Sequence, residues 1–146
     1  MLQPWNEAVL SGILGLCVGD ALGVPVEFAT REALSRNPVR GMLSGGTYDQ
    51  PAGTWSDDTS MTLCQMDSIT ACGKADWEDL AARFARWMNE GYLTARGEAF
   101  DVGNTTLRAI LRMVQGTPAL QCGGGNEWDC GNGSLMRILP LAFYLS

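Results

Sequence analysis

The sequence contains no histidine, a single lysine (Lys74) and no stretch alternating apolar and polar residues like a half-buried strand. Without histidine, Ser-His-Asp and Cys-His nucleophilic catalysis are excluded within the chain, as is any histidine-based zinc site. Acid–base chemistry must therefore fall to carboxylates or to a metal-bound water. Positive charge is also scarce: Lys74 and scattered arginines make ten basic residues against 16 acidic ones, a net charge of -6. A nucleic-acid backbone is held by clustered Lys and Arg that release counterions, so polymeric nucleic acid is not an expected partner. No run of eighteen apolar residues occurs, which argues against a membrane span. The opening Met1-Leu2-Gln3-Pro4-Trp5-Asn6-Glu7 lacks the basic start of a secretory signal, so a cytoplasmic location is expected. The five cysteines (Cys17, Cys64, Cys72, Cys122, Cys130) are odd in number and form no Cys-x-x-Cys, and are read as reduced thiols.

What the sequence does have is helical periodicity. A first helix is expected from Pro4 or Trp5 to about Ala21, apolar nearly all round through Val9, Leu10, Ile13, Leu14, Leu16 and Val18. Such a helix belongs inside a larger core. Gly23 and Pro25 end it, and a helical turn is expected from Thr30 to Ser35. The Gly-rich stretch 40–54 is loop. A second helix is expected from Ser56-Asp57-Asp58-Thr59 to Cys72, with Ser56 as cap and Gly73 as stop. Asp76 and Asp79 open a third, whose apolar stripe is Trp77, Leu80, Ala81, Phe84, Trp87 and Met88, stopped by Gly91. Another carries Leu107, Ile110, Leu111 and Val114 to Gly116. The last starts near Ser134, with Pro140 set to kink or interrupt it, and Gly123-Gly124-Gly125 marks a loop. The expected class is all-α. The first helix carries more apolar surface than the other helices would cover, so the expectation is a portion of a larger helical domain.

Four places hold residues suited to chemistry. In Trp55-Ser56-Asp57-Asp58-Thr59, two adjacent carboxylates and flanking hydroxyls share a helix start. Neighbouring carboxylates repel, and a hard cation such as magnesium or manganese would relieve that; an ordinary acidic helix cap is the plainer reading. In Gly19-Asp20-Ala21-Leu22-Gly23-Val24-Pro25-Val26-Glu27, glycines and proline fix the exit of the first helix and so fix Glu27, while Asp20 is expected to brace a neighbouring loop. In Phe100-Asp101-Val102-Gly103-Asn104-Thr105, Asp101 and Asn104 stand before a helix, as caps or as site residues. In Gly131-Asn132-Gly133-Ser134, glycines at a helix start would let backbone N–H groups approach an anion, or simply form a turn.

Taken in this order, these stretches resemble the ADP-ribosylglycohydrolase family. The likeness rests on Gly15–Glu27, on Trp55–Thr59 and on Gly131–Arg137 with Pro140. The segment Phe100–Thr106 is most similar to bacterial members of the type that reactivates dinitrogenase reductase. The resemblance implies an all-helical fold with two divalent ions, magnesium or manganese, in a cleft. It implies hydrolytic removal of ADP-ribose from modified side chains, arginine first among them, or from related conjugates. By the same resemblance, Ser56, Asp57 and Asp58 are metal ligands and Glu27 stands next to the metals. Asp101 and Asn104, with Gly103 between them, face the substrate ribose, and Gly131, Asn132 and Gly133 contact ADP-ribose. Either Asp101 or Glu27 would move the proton.

Members of the family carry a second metal-binding segment, Asp-x-Asp-Thr, far toward the C-terminus. The only acidic residues here after Asn104 are Glu127 and Asp129, and neither lies in such a pattern. Residues 1–146 are accordingly expected to be the N-terminal portion of a single domain. Its activity would need a complementing C-terminal half. The alternative is a non-catalytic module that binds ADP-ribose or a partner chain, or that self-associates through an exposed core face.

Overall fold

The structure, a computed structural model, describes the backbone of residues 4–146 and side chains from Asn6 onward. The expectation drawn from Met1–Gln3 lies outside the described residues. The chain forms two units, residues 1–56 and 57–146, divided between Ser56 and Asp57.

The first unit is built on α1 (Pro4–Gly23), which continues into a 3-10 turn at Val24–Val26. Pro25 lies in the first positions of that turn, where its missing N–H costs nothing. A short α2 (Arg31–Arg36) follows, and the Thr30 hydroxyl caps it by accepting from the Ala33 N–H at 3.1 Å. The loop beyond folds back on itself, Gly45 and Gln50 exchanging both backbone hydrogen bonds. Gly46, at φ +77°, lies so close to the Pro25 backbone that a Cβ would come within 2.5 Å of its carbonyl oxygen. Only glycine permits that approach.

The exposure of α1 agrees with an apolar surface larger than the other helices cover. Ile13 and Ala21 are buried, whereas Leu10, Leu14 and Val18 stand about half exposed. The stretch Asn6–Val26 is also long and apolar enough to cross a membrane, with a mean hydropathy of 1.8. The criterion of an unbroken apolar run missed it because glycines and isolated polar residues interrupt the run without lowering the average much.

The second unit is helical, with no strand among the described residues. It comprises α3 (Asp57–Cys72), α4 (Trp77–Glu90), α5 (Asn104–Val114), α6 (Gly133–Met136) and α7 (Leu139–Leu145). Helix α3 packs against α4, α6 and α7, and α4 packs against α5. Met61, Cys64, Phe84, Trp87 and Ile110 form the core, with Leu80, Met88, Tyr92 and Met136 among the side chains around it. Of the expected α4 stripe, Ala81, Phe84 and Trp87 are buried and Trp77 is exposed. The Asp76 carboxylate caps α4 by accepting from the Asp79 N–H, which holds its pKa below the ordinary aspartate value, with Lys74 adding to the effect. Gly73 and Gly91 end α3 and α4 in the left-handed region. The last expected helix is two: α6 ends at Met136, and α7 begins at Leu139 with Pro140 in its first turn.

Helix α3 is the most buried helix of this unit, and most of its buried side chains are polar. Asp57, Thr59, Ser60, Thr62, Gln65 and Ser68 are all buried along it. Arg83 ties it to α4, donating from Nε to Asp79 at 2.6 Å and from Nη1 to Asp67, which also accepts from the Tyr92 hydroxyl.

Candidate functional site

In the first unit, Asp20 and Ser56 meet across 36 residues of sequence. The Asp20 carboxylate accepts the Ser56 N–H at 2.9 Å and the Ser56 hydroxyl at 2.8 Å. Asp20 therefore has the bracing role expected of it, but its partner is the residue that precedes the acidic pair, and Ser56 is buried by the arrangement. Glu27 sits where the 3-10 turn ends, half-buried, and its carbonyl accepts from the Thr47 hydroxyl at 3.2 Å. The loop that Gly46 presses onto Pro25 thus also holds the Glu27 backbone. Phe28, the next residue, has φ 62°. A bulky residue in the left-handed region stores strain that its surroundings must sustain.

In the second unit, Asp57 and Asp58 form the first turn of α3, where the helix dipole favours negative charge. Asp57 is buried at 5% exposure and Asp58 is half-buried. Burial of a carboxylate demands nearby positive charge or hydrogen bonds, and one source is a residue to which sequence reasoning gave no role. Arg137, between α6 and α7, is half-buried, its guanidinium 5.0 Å from the Phe84 ring centroid and 3.6 Å from the Met61 sulfur. Burial lowers its pKa, and the negative charge of Asp57 opposes that shift. The repulsion within the acidic pair is thus offset in part by the protein itself. A lone arginine within the apolar run Leu135-Met136-Arg137-Ile138-Leu139 was the available signal.

Asp101 is half-buried at φ 62°, the left-handed region again, directly before α5. Gly103 is the N-cap of α5 and Asn104 its first residue. The Gly131–Gly133 loop comes up against this same helix start. A Cβ on Gly133 would fall 2.7 Å from the Thr106 hydroxyl, and one on Gly131 3.5 Å from that of Thr105. Gly133 therefore has a packing reason to be glycine. The helix that this loop opens onto is shorter than expected, because α6 is a single turn of four residues. So short a helix sums little dipole, which leaves the loop N–H groups as what the segment offers an anion.

The second unit therefore brings Asp57, Arg137, the start of α5 and the Gly131–Gly133 loop into one neighbourhood, while the first unit holds Glu27 and the Asp20–Ser56 brace. Among the described residues, no group of three or more His, Cys, Asp or Glu side chains is gathered as a metal ion would require. The side chains of Ser56, Asp57 and Asp58 offer oxygen donors, the kind a hard cation takes, but fewer than such an ion requires.

A helical fold whose acidic pair opens a buried helix, backed by a Gly-Asn-Gly loop, matches a known class over its whole length. The family model for ADP-ribosylglycohydrolase matches residues 1–146. The chain belongs to the ADP-ribosylglycohydrolase family. It is 37% identical over 132 residues to the ADP-ribosylarginine hydrolase Tri1 of Pseudomonas putida, covering 90% of this chain and 34% of that protein. It is 38% identical over 140 residues to the ADP-ribosyl-dinitrogen-reductase glycohydrolase of Rhodospirillum rubrum, covering 94% of this chain and 44% of that protein. Among solved structures, an ADP-ribosylglycohydrolase-related protein complex superposes with a TM-score of 0.74 at 37% identity, covering 97% of this chain and 44% of that one. The chain thus spans about two fifths of the length of these relatives.

Proposed function

We propose that this chain carries the first half of the active site of an ADP-ribosylglycohydrolase whose substrate is an ADP-ribosylated side chain, arginine in the first instance. The observation that carries the reading is the acidic pair Asp57–Asp58 at the start of a buried helix, with Asp57 burial supported by Arg137 and Ser56 held by Asp20. Two names among the relatives, a hydrolase of ADP-ribosylarginine and a glycohydrolase of ADP-ribosyl-dinitrogen reductase, support the substrate class.

Ser56, Asp57 and Asp58 would hold magnesium or manganese. When bound, such an ion supplies Lewis-acid polarisation of the ribose hydroxyls and lowers the pKa of a coordinated water. The protein's own part is orientation and proton movement. Asp20 fixes Ser56, and the N-terminal end of the α3 dipole and Arg137 set positive charge beside the Asp57 carboxylate. Glu27 and Asp101, each set at a strained or pinned backbone, are the carboxylates available to take a proton from the attacking water. The leaving guanidine is itself basic, and carboxylates beside the anomeric carbon would stabilise an oxocarbenium-like transition state. Asn104 and the Gly131–Gly133 loop would bind the ribose and diphosphate. With only part of a ligand set among its described residues, the chain alone would bind ADP-ribose without turning it over.

The test joins this chain to the portion of the Rhodospirillum rubrum protein that it does not match, and follows ADP-ribose release from ADP-ribosyl-arginine with magnesium or manganese. Release is expected, with Asp57→Asn and Asp58→Asn each slowing it on the order of 100-fold. An inactive joined protein, or one indifferent to both substitutions, overturns the reading.

A further inference from the structure

Helix α1 presents a surface that nothing in its own unit explains. Leu10, Leu14 and Val18 recur at four-residue spacing, one above the other along the helix, and are 49%, 53% and 47% exposed. Beside them run Gly15 and Gly19, also exposed, and nothing lies within 4 Å of a Cβ built on either. Glycine weakens a helix interior relative to alanine, so two of them in open space are a cost without a return unless another backbone comes close. A row of apolar ridges beside a row of small residues is the relief into which the ridges of a second helix fit.

The relatives identify what could lie there. A structure that repeats almost all of this chain does so in less than half of its own length, and the matched hydrolases likewise continue for more than half of theirs. That further polypeptide must pack on something, and α1 offers an apolar face of helix-packing form. A lipid surface is the competing occupant, given the hydropathy of this stretch. Against it stands Asp20 in the last turn of α1, whose carboxylate is committed to the Ser56 N–H and hydroxyl. We propose that the Leu10–Leu14–Val18 face of α1, with Gly15 and Gly19, is the seat of a helix from the polypeptide that makes up the rest of the relatives' length, whether joined to this chain or supplied as a separate one. The inference rests on family membership and not on the proposed chemistry, and its readout is association rather than ADP-ribose release.

The experiment mixes this chain with the unmatched portion of the Rhodospirillum rubrum protein and measures complex formation by sedimentation velocity. Hydrogen exchange then locates the contact. The expected result is a one-to-one complex in which amides of α1 gain protection. Leu14→Glu should weaken it at least about tenfold, in line with burying an unpaired charge at a packed face. Gly15→Leu is the sharper variant: the space around Gly15 is open, so the chain alone should keep its circular dichroism and melting temperature while losing the complex. Absence of a complex, a complex indifferent to both substitutions, self-association of the chain through α1, or α1-dependent partition into phosphatidylcholine vesicles would each overturn the proposal.

Discussion

Removing the Asp20 carboxylate should loosen the approach to the acidic pair, and the size of the effect follows from its hydrogen bonds. Asp20 accepts from the Ser56 N–H at 2.9 and 3.1 Å and from its hydroxyl at 2.8 Å, and Ser56 is 3% exposed. A hydrogen bond to a charged group contributes about 1.5–3 kcal/mol, and a buried donor left without it costs a similar amount. Asp20→Ala should therefore destabilise the chain by about 2–3 kcal/mol, or about 5–10 °C in melting temperature for a protein of this length. Asp20→Asn keeps one carbonyl acceptor and should lose about half as much. Ser56→Ala loses only the hydroxyl bond, about 1 kcal/mol, and its effect should not add to that of Asp20→Ala, because the two share one interaction. Thermal melts followed by circular dichroism at 222 nm measure all of these. If Asp20→Ala melts within about 1 °C of the parent, or the two substitutions add fully, Asp20 does not brace Ser56 as described.

Other sites give equally direct tests. Gly73 and Gly91 both have positive φ, but a Cβ on Gly91 would lie 1.8 Å from the Gly97 carbonyl oxygen while Gly73 faces open space. Gly73→Ala should cost about 1 kcal/mol and Gly91→Ala at least about 3, compared by urea denaturation. Burial pushes the Cys64 thiol up to about 12, so iodoacetamide at pH 8 should label the exposed Cys130 and spare Cys64 until the chain unfolds. Because folding retains the Cys64 proton after the unfolded thiol has lost it, stability attributable to this group is full below about pH 9. It falls by about 1.4 kcal/mol per pH unit up to about pH 12, a slope that Cys64→Ala should remove. Ser68 buries a hydroxyl with no hydrogen-bond partner among the described residues, so Ser68→Ala should be neutral or slightly stabilising in the same urea assay.

Helix ends were the most legible part of the sequence, because caps act locally. Thr30, Asp76, Gly73, Gly91 and Pro140 each set a boundary within a residue or two of where pattern and turn chemistry put it. The acidic pair at the head of α3 was legible for the same reason. Long-range partners were not: the Asp20–Ser56 brace spans 36 residues, and the influence of Asp57 on Arg137 joins opposite ends of the second unit. Nor could periodicity reveal that α3 is buried while polar, since a stripe of Thr, Ser and Gln reads as solvent-facing until its surroundings are known. For α1 the pattern gave the apolar character and the surplus of apolar surface, but not which side chains stay exposed, because that depends on what else packs on the helix. Gly133 illustrates a third kind of miss. The sequence did not show that its close neighbour is the Thr106 hydroxyl, nor that the helix after it is a single turn.

Anomalous scattering from manganese tests the central claim most directly. Crystals of this chain combined with the portion its relatives add would be soaked with Mn2+ and ADP-ribose and recorded near the manganese edge. The account predicts an anomalous peak at about 2.0–2.2 Å from carboxylate oxygens of Asp57 and Asp58, lost in the Asp57→Asn, Asp58→Asn double variant. Bound ADP-ribose with no metal at these aspartates, or a peak that persists in the double variant, would contradict it.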